Sequence, residues 1–232
     1  MSYSQTNVLL AIAALTIGFL CYHFLSQSQA LRLLFEKKLG EAQSKIHWVY
    51  FQRMLGVFFY GLMPLVLVFV QDIDLQDVGI SLRALPTSLA WIAGLGVVVT
   101  VMNYFAARSA GNLAVYPQIR VSPPWGRGLL LGSALTWAAY LLAYEFLFRG
   151  YLLFTCTEEM GRWLAIALNV SLYALVHVPK GWKETVGAIP LGIVLCLLTL
   201  RTGTIWIAFG VHVVMAWGNE WWSLWWQGRR GA

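Results

Sequence analysis

Long apolar runs broken by short polar stretches set the plan of this chain. The runs are Val8–Leu25, Trp48–Val70, Ser88–Ala106, Gly128–Met160, Trp163–Val178, Thr185–Leu200 and Thr204–Trp226. A helix needs roughly 20 apolar residues to cross a hydrocarbon layer of about 30 Å. The pattern therefore predicts an all-α fold, a polytopic transmembrane helical bundle of about seven spans (six to eight). The first run has almost no basic residues before it and no small-residue cleavage signal after it, so it is expected to be retained as a span rather than removed. Gly128–Met160 is too long for one perpendicular crossing at about 1.5 Å per residue, and predicts either a tilted, protruding helix or a break before Glu145.

The breaks carry the polar chemistry. Ser26–His47, with Arg32, Lys37, Lys38 and Lys45, reads as a basic loop; its leucines and Phe35 allow a short surface helix as the alternative. Asp72, Asp74 and Asp77 lack the glycine and closing glutamate of a calcium loop and read as a solvated loop. Lys and Arg concentrate in the breaks after the first, third and fifth runs and at the C-terminal end. That bias predicts the N-terminus outside and the C-terminus inside. Two segments follow: residues 1–127, with three spans and the basic connector, and residues 128–232, which hold the chemistry, in one integrated membrane domain.

Composition agrees with the pattern. Apolar residues make up 59% of the 232 and charged residues 11%, against about 25% charged in a soluble domain. Twelve Trp, ten Tyr and twelve Phe suit the headgroup level of a bilayer. The net charge of +6 is explained by basic loops, without nucleic acid as a partner. Cys21, Cys156 and Cys196 are odd in number, lie in apolar runs and have no metal-type spacing, so they read as buried small hydrophobes.

Four ionisable residues lie where they are costly: Glu145 and Arg149, one helical turn apart, and His177 and His212. Such groups within apolar spans point to function. Glu145 and His177 each lie sixteen residues from Gly161, so both are expected about 24 Å from that turn and level with each other. His212, counted from the turn at Arg201–Gly203, is expected only about 12 Å in, on the deeper wall of a site open to the cytoplasmic half. Two imidazoles and a carboxylate offer two hydrolytic schemes. Glu145 can serve as general base while the histidines orient water and bind the oxyanion. Alternatively, Glu145, His177 and His212 can hold zinc with one open position. A third possibility is structural, with Glu145 paired to Arg149 and the histidines bonding neighbouring helices.

These residues resemble the motifs of the CPBP intramembrane peptidases, which include the type II CAAX prenyl endopeptidases and the Abi-like bacteriocin-processing proteins. The family pattern Glu-Glu-x-x-x-Arg is matched by Tyr144-Glu145-Phe146-Leu147-Phe148-Arg149-Gly150. Phe-x-x-x-His is matched by Tyr173-Ala174-Leu175-Val176-His177, and the last motif begins at His212. Pro190-Leu191-Gly192 and Thr202-Gly203-Thr204-Ile205-Trp206 resemble the approach to that motif, so the likeness covers roughly residues 128–225. It implies an intramembrane endopeptidase of a bacterial plasma membrane. Its substrates would be membrane-associated polypeptides, and Glu145, His177 and His212 would be its catalytic residues, with Arg149 supporting. Two positions depart from the pattern. Tyr144 stands for the leading glutamate, and Ala216 for an asparagine or aspartate expected at the oxyanion.

One residue on a helix is a turn of about 100°, so Glu145 would need a break or over-rotation near Tyr144 to face the histidines. Asn219 or Tyr144 would have to replace the missing donor. The alternative reading is a catalytically silent member that binds a membrane partner in immunity or assembly. A proton-coupled transporter is a third reading, disfavoured because no discontinuous repeat pair is visible.

Overall fold

A computed structural model describes residues 3–230, without the side chains of residues 3, 4 and 230. Met1, Ser2, Gly231 and Ala232, the outer ends of the two predicted segments, lie outside the described residues. The described residues form helices and loops. The elements are α1 (Tyr3–Ser26), α2 (Gln29–Leu39), α3 (Glu41–Gly56), a π-helical segment (Val57–Leu62), α4 (Met63–Val70), α5 (Leu85–Ala106) and α6 (Ala110–Val115). They continue with α7 (Arg127–Glu145), a second π-helical segment (Phe146–Leu152), α8 (Leu153–Met160), α9 (Arg162–Leu175), a 3₁₀ turn (Val178–Lys180), α10 (Trp182–Thr202) and α11 (Trp206–Arg230).

Six helical stretches are long and apolar enough to cross a membrane, among them Glu41–Val70 and Arg127–Met160, each of which runs through a π segment. The seventh predicted span is α11. Its 25 residues are long enough at about 1.5 Å each, but His212, Asn219 and Glu220 lower its mean hydropathy. His212 and Glu220 are buried, so the polar groups of α11 turn into the bundle. Outward positions are apolar: Val97, Phe105, Leu135, Trp163 and Leu164 are all exposed, as expected where lipid replaces water as the solvent. The protein is an integral membrane protein.

The connector after α1 is helical, contrary to the loop reading. Ser28 caps α2, its hydroxyl accepting from Leu31 N at 3.4 Å, and Phe35 packs against Trp48 and Phe51 with ring centroids 5.6 and 5.3 Å away. Cap and aromatic anchor together override the polar composition.

The loop 71–84 is tucked under the bundle. Ile205 N donates to Gly79 O at 3.1 Å, and Thr204 Oγ1 and Trp206 Nε1 both donate to Ser81 O, at 3.0 and 2.9 Å. Gly150 makes this possible, because a Cβ there would stand 2.7 Å from Val78 O. Thr204 and Ile205 are fully buried beneath the loop, so the chain is covered directly after the turn at Arg201–Gly203.

Candidate active site

The site forms where the second π segment meets α9 and α11. Glu145 is the last residue of α7 and the N-cap of that segment. π segments leave backbone groups to be satisfied from outside the helix and recur at functional sites. Here Asn169 Nδ2 donates to Phe148 O at 2.6 Å, and Cys196 Sγ donates to Asn169 Oδ1 at 3.3 Å. α9 and α10 thereby brace the irregular segment.

Glu145 is divided between two partners. Its Oε1 accepts from His212 Nδ1, and its Oε2 lies 3.5 Å from Arg149 Nη1. A carboxylate acceptor requires the proton on Nδ1, which places the lone pair of a neutral His212 on Nε2. Tyr173 Oη lies 2.9 Å from that Nε2 and donates to it. His177 Nδ1 donates to the backbone oxygen of Tyr173 at 2.7 Å, leaving its own Nε2 as a free acceptor. One residue, Tyr173, therefore fixes both imidazoles, one through its carbonyl and one through its hydroxyl. His177 is half-buried, whereas Glu145, Arg149 and His212 are buried.

The guanidinium of Arg149 lies 4.0 Å from the Tyr173 ring centroid. It has no hydrogen bond, and its compensation is the ion pair and the ring face. Gly192 admits this stack, since a Cβ there would press on Tyr173 Cδ1 at 3.2 Å.

Tyr144 lies between the histidines. Its ring centroid is 6.4 Å from each imidazole and 4.7 Å from Phe148. Its hydroxyl is buried without a hydrogen-bond partner. Ala216 is buried in a separate apolar cluster with Trp137 and Leu141. Asn219 is half-buried. It lies seven residues beyond His212, about 10 Å along the helix axis.

Glu145 and His212 are in contact, which corrects the expected difference in depth between them. The count for His212 assumed a straight run inward from the turn at Arg201–Gly203; Arg201 is exposed, and the chain is covered by loop 71–84 only from Thr204 onward. Among the described residues no group of three or more His, Cys, Asp and Glu is arranged as metal ligands.

A second buried polar cluster was not anticipated from sequence. Arg53 Nη1 donates to Ser133 O at 2.9 Å, Ser133 Oγ at 3.0 Å and Thr136 Oγ1 at 2.9 Å. Its Nη2 donates to Gln118 Oε1 at 3.2 Å and reaches Glu220 Oε2 at 3.4 Å. Ser133 Oγ and Trp137 Nε1 also donate to Glu220. Two charged residues inside predicted spans were the available signal.

Residues 124–218 match the family model of the type II CAAX prenyl endopeptidase Rce1-like proteins. That segment is similar to this family. The match spans α7 to most of α11, the part that carries Glu145, Arg149, His177 and His212, and it bears out the resemblance to the CPBP intramembrane peptidases. No curated protein and no solved structure matches the chain. The Rce1-like segment contacts the preceding spans at Tyr60–Tyr144, with ring centroids 5.8 Å apart, and at Asn103 Nδ2 to Met215 O, 2.9 Å.

Proposed function

We propose that the protein is an intramembrane endopeptidase that hydrolyses peptide bonds of membrane-associated polypeptides with a histidine-activated water. The observation that carries this reading is the division of Glu145: one oxygen is committed to His212 rather than both to Arg149. In this scheme His177 Nε2, the free imidazole acceptor, takes a proton as water adds to the scissile carbonyl. The Tyr144 hydroxyl, a donor without a partner, supports the oxyanion in place of the amide missing at Ala216. The proton on His177 then passes to the leaving nitrogen as the carbon–nitrogen bond breaks.

Glu145 holds His212 in one tautomer, and Arg149 holds Glu145 in place through the ion pair. Asn219, two turns beyond His212, would contact the substrate backbone rather than the reacting carbonyl. No step is routed through a metal. A bacterial plasma membrane is proposed from the multi-span chain and the family resemblance, and the N-terminus outside with a site opening toward the cytoplasmic half from the distribution of Lys and Arg.

The test is hydrolysis by the purified protein in proteoliposomes, supplied with membrane-anchored peptides in water labelled with heavy oxygen. Wild type is expected to place label in new peptide carboxylates, and Glu145→Gln and His177→Ala to place none. Label incorporated by Glu145→Gln at the wild-type rate would remove Glu145 from the chemistry. A wild type that cuts nothing would favour the silent binding member.

A further inference from the structure

A cleft of about 180 Å³ opens between α2, α3 and the loop after α6, lined by Arg32, Glu36, Lys45, Trp48, Gln118 and Arg120 among others. It lies outside the candidate active site. Three cations face one carboxylate within it, and the partners of those cations leave them available. Arg32 Nε pairs with Glu36 at 3.3 Å and Lys45 Nζ with Glu41 at 2.7 Å, both pairs exposed and so easily exchanged for a better anion. Arg120 donates to the carbonyls of Leu113 and Ala114. The floor is held in place: Ser44 and Val49 are buried, and Gln118 accepts from Arg53.

The position of the cleft indicates its ligand. The helical stretch Glu41–Val70 has 30 residues and runs about 45 Å, some 15 Å more than the hydrocarbon layer. The lining residues 44–52 belong to its first third, at headgroup level, where Trp48 is at home. On α2, next to the cleft, Leu33, Leu34 and Leu39 are exposed, as on a helix lying in the interface. The breaks and end on this face contain eleven of the sixteen Lys and Arg and three glutamates, whereas the opposite face has three basic residues and five acidic ones. A cavity of this size is below the roughly 300–1,000 Å³ of pockets for drug-sized ligands but accommodates a phosphodiester and its first carbons.

We infer that this cleft binds the headgroup of an anionic phospholipid, its phosphodiester held by Arg32, Lys45 and Arg120 while the acyl chains run down past the leucines of α2.

Native mass spectrometry of the full chain in detergent, titrated with phosphatidylglycerol, phosphatidylcholine or inorganic phosphate, tests this. Wild type is expected to retain one phosphatidylglycerol in preference to phosphatidylcholine, with inorganic phosphate failing to displace it. The double variant Arg32→Gln/Lys45→Gln is expected to weaken retention about tenfold or more, the effect of losing charge-assisted contacts. Lys37→Gln/Lys38→Gln removes the same charge from α2 outside the cleft and is expected to stay within about twofold of wild type. Elution volume and thermal unfolding confirm that both variants are folded. Equal loss in the two double variants, equal retention of phosphatidylcholine, or displacement by inorganic phosphate would overturn the proposal.

Discussion

Tyr173 and Tyr144 both lie beside the histidines, but only the Tyr173 hydroxyl has a hydrogen-bond partner. Tyr173 stands where the resembled family has phenylalanine, and its hydroxyl reaches His212. Tyr173→Phe keeps the ring beside Arg149 and the carbonyl that holds His177. It is expected to lower kcat by about tenfold and stability by about 1 kcal/mol, read by peptide turnover and thermal unfolding. Tyr144→Phe should behave oppositely: its hydroxyl has no partner to lose, so stability should stay within about 0.5 kcal/mol. Turnover should nevertheless fall about 10²–10³-fold, the usual effect of deleting an oxyanion donor. Unchanged turnover would mean that Tyr144 is only a packing residue.

At this scale the sequence was informative where ionisable groups interrupt apolar runs in a motif-like order, as at Glu145, Arg149, His177 and His212. It was silent on Tyr173, because a tyrosine in a membrane helix looks the same whether or not its hydroxyl is used. It was equally silent on the pairing of Arg53 with Glu220, 167 residues apart, which no local pattern encodes.

The helices were legible from the apolar runs, but the two π segments were not, because a single widened turn barely disturbs hydrophobic periodicity. The segment Phe146–Leu152 bears directly on the site. It starts after Glu145, so Glu145 keeps the phase of α7 and reaches His212 without the break before it that was expected, while the residues that follow, Arg149 among them, are re-phased. Asn169 supports the segment through Phe148 O. Asn169→Leu leaves that buried carbonyl without its partner and is expected to cost about 1–3 kcal/mol in thermal unfolding. Activity should fall in parallel as Glu145 loses its aim. Loop 71–84 has a different dependence: Gly150→Ala drives a methyl into Val78 O and should release the loop, seen as faster proteolysis between Asp72 and Arg83.

Across the whole molecule, two buried ion clusters lie along α7, and one of them, around Arg53, connects the N-terminal spans to the helices that follow. Arg53 on α3 and Glu220 on α11 clamp one end, and Glu145 with its partners occupies the other. Removing one member of a buried pair strands a charge at about 3–5 kcal/mol, whereas replacing both with apolar residues is often neutral or better. Glu220→Gln should therefore destabilise the folded protein strongly, and Arg53→Met/Glu220→Met should recover most of the loss, as measured by thermal unfolding in detergent. Recovery of fold without loss of turnover would mark this cluster as architectural and separate it from the site. The overall helical plan and the location of the chemistry were readable because lipid imposes apolar runs and penalises every exception. The mutual depth of Glu145 and His212 was not, because it depends on how a distant loop packs over Thr204–Trp206 at the start of α11.

The most direct measurement is a mass-spectrometric survey of new protein termini in membranes of cells expressing wild type, Glu145→Gln or Tyr144→Phe at matched levels. The account predicts termini within or beside hydrophobic segments that appear only with wild type and are greatly reduced with Tyr144→Phe. An identical set of termini from wild type and Glu145→Gln would contradict it.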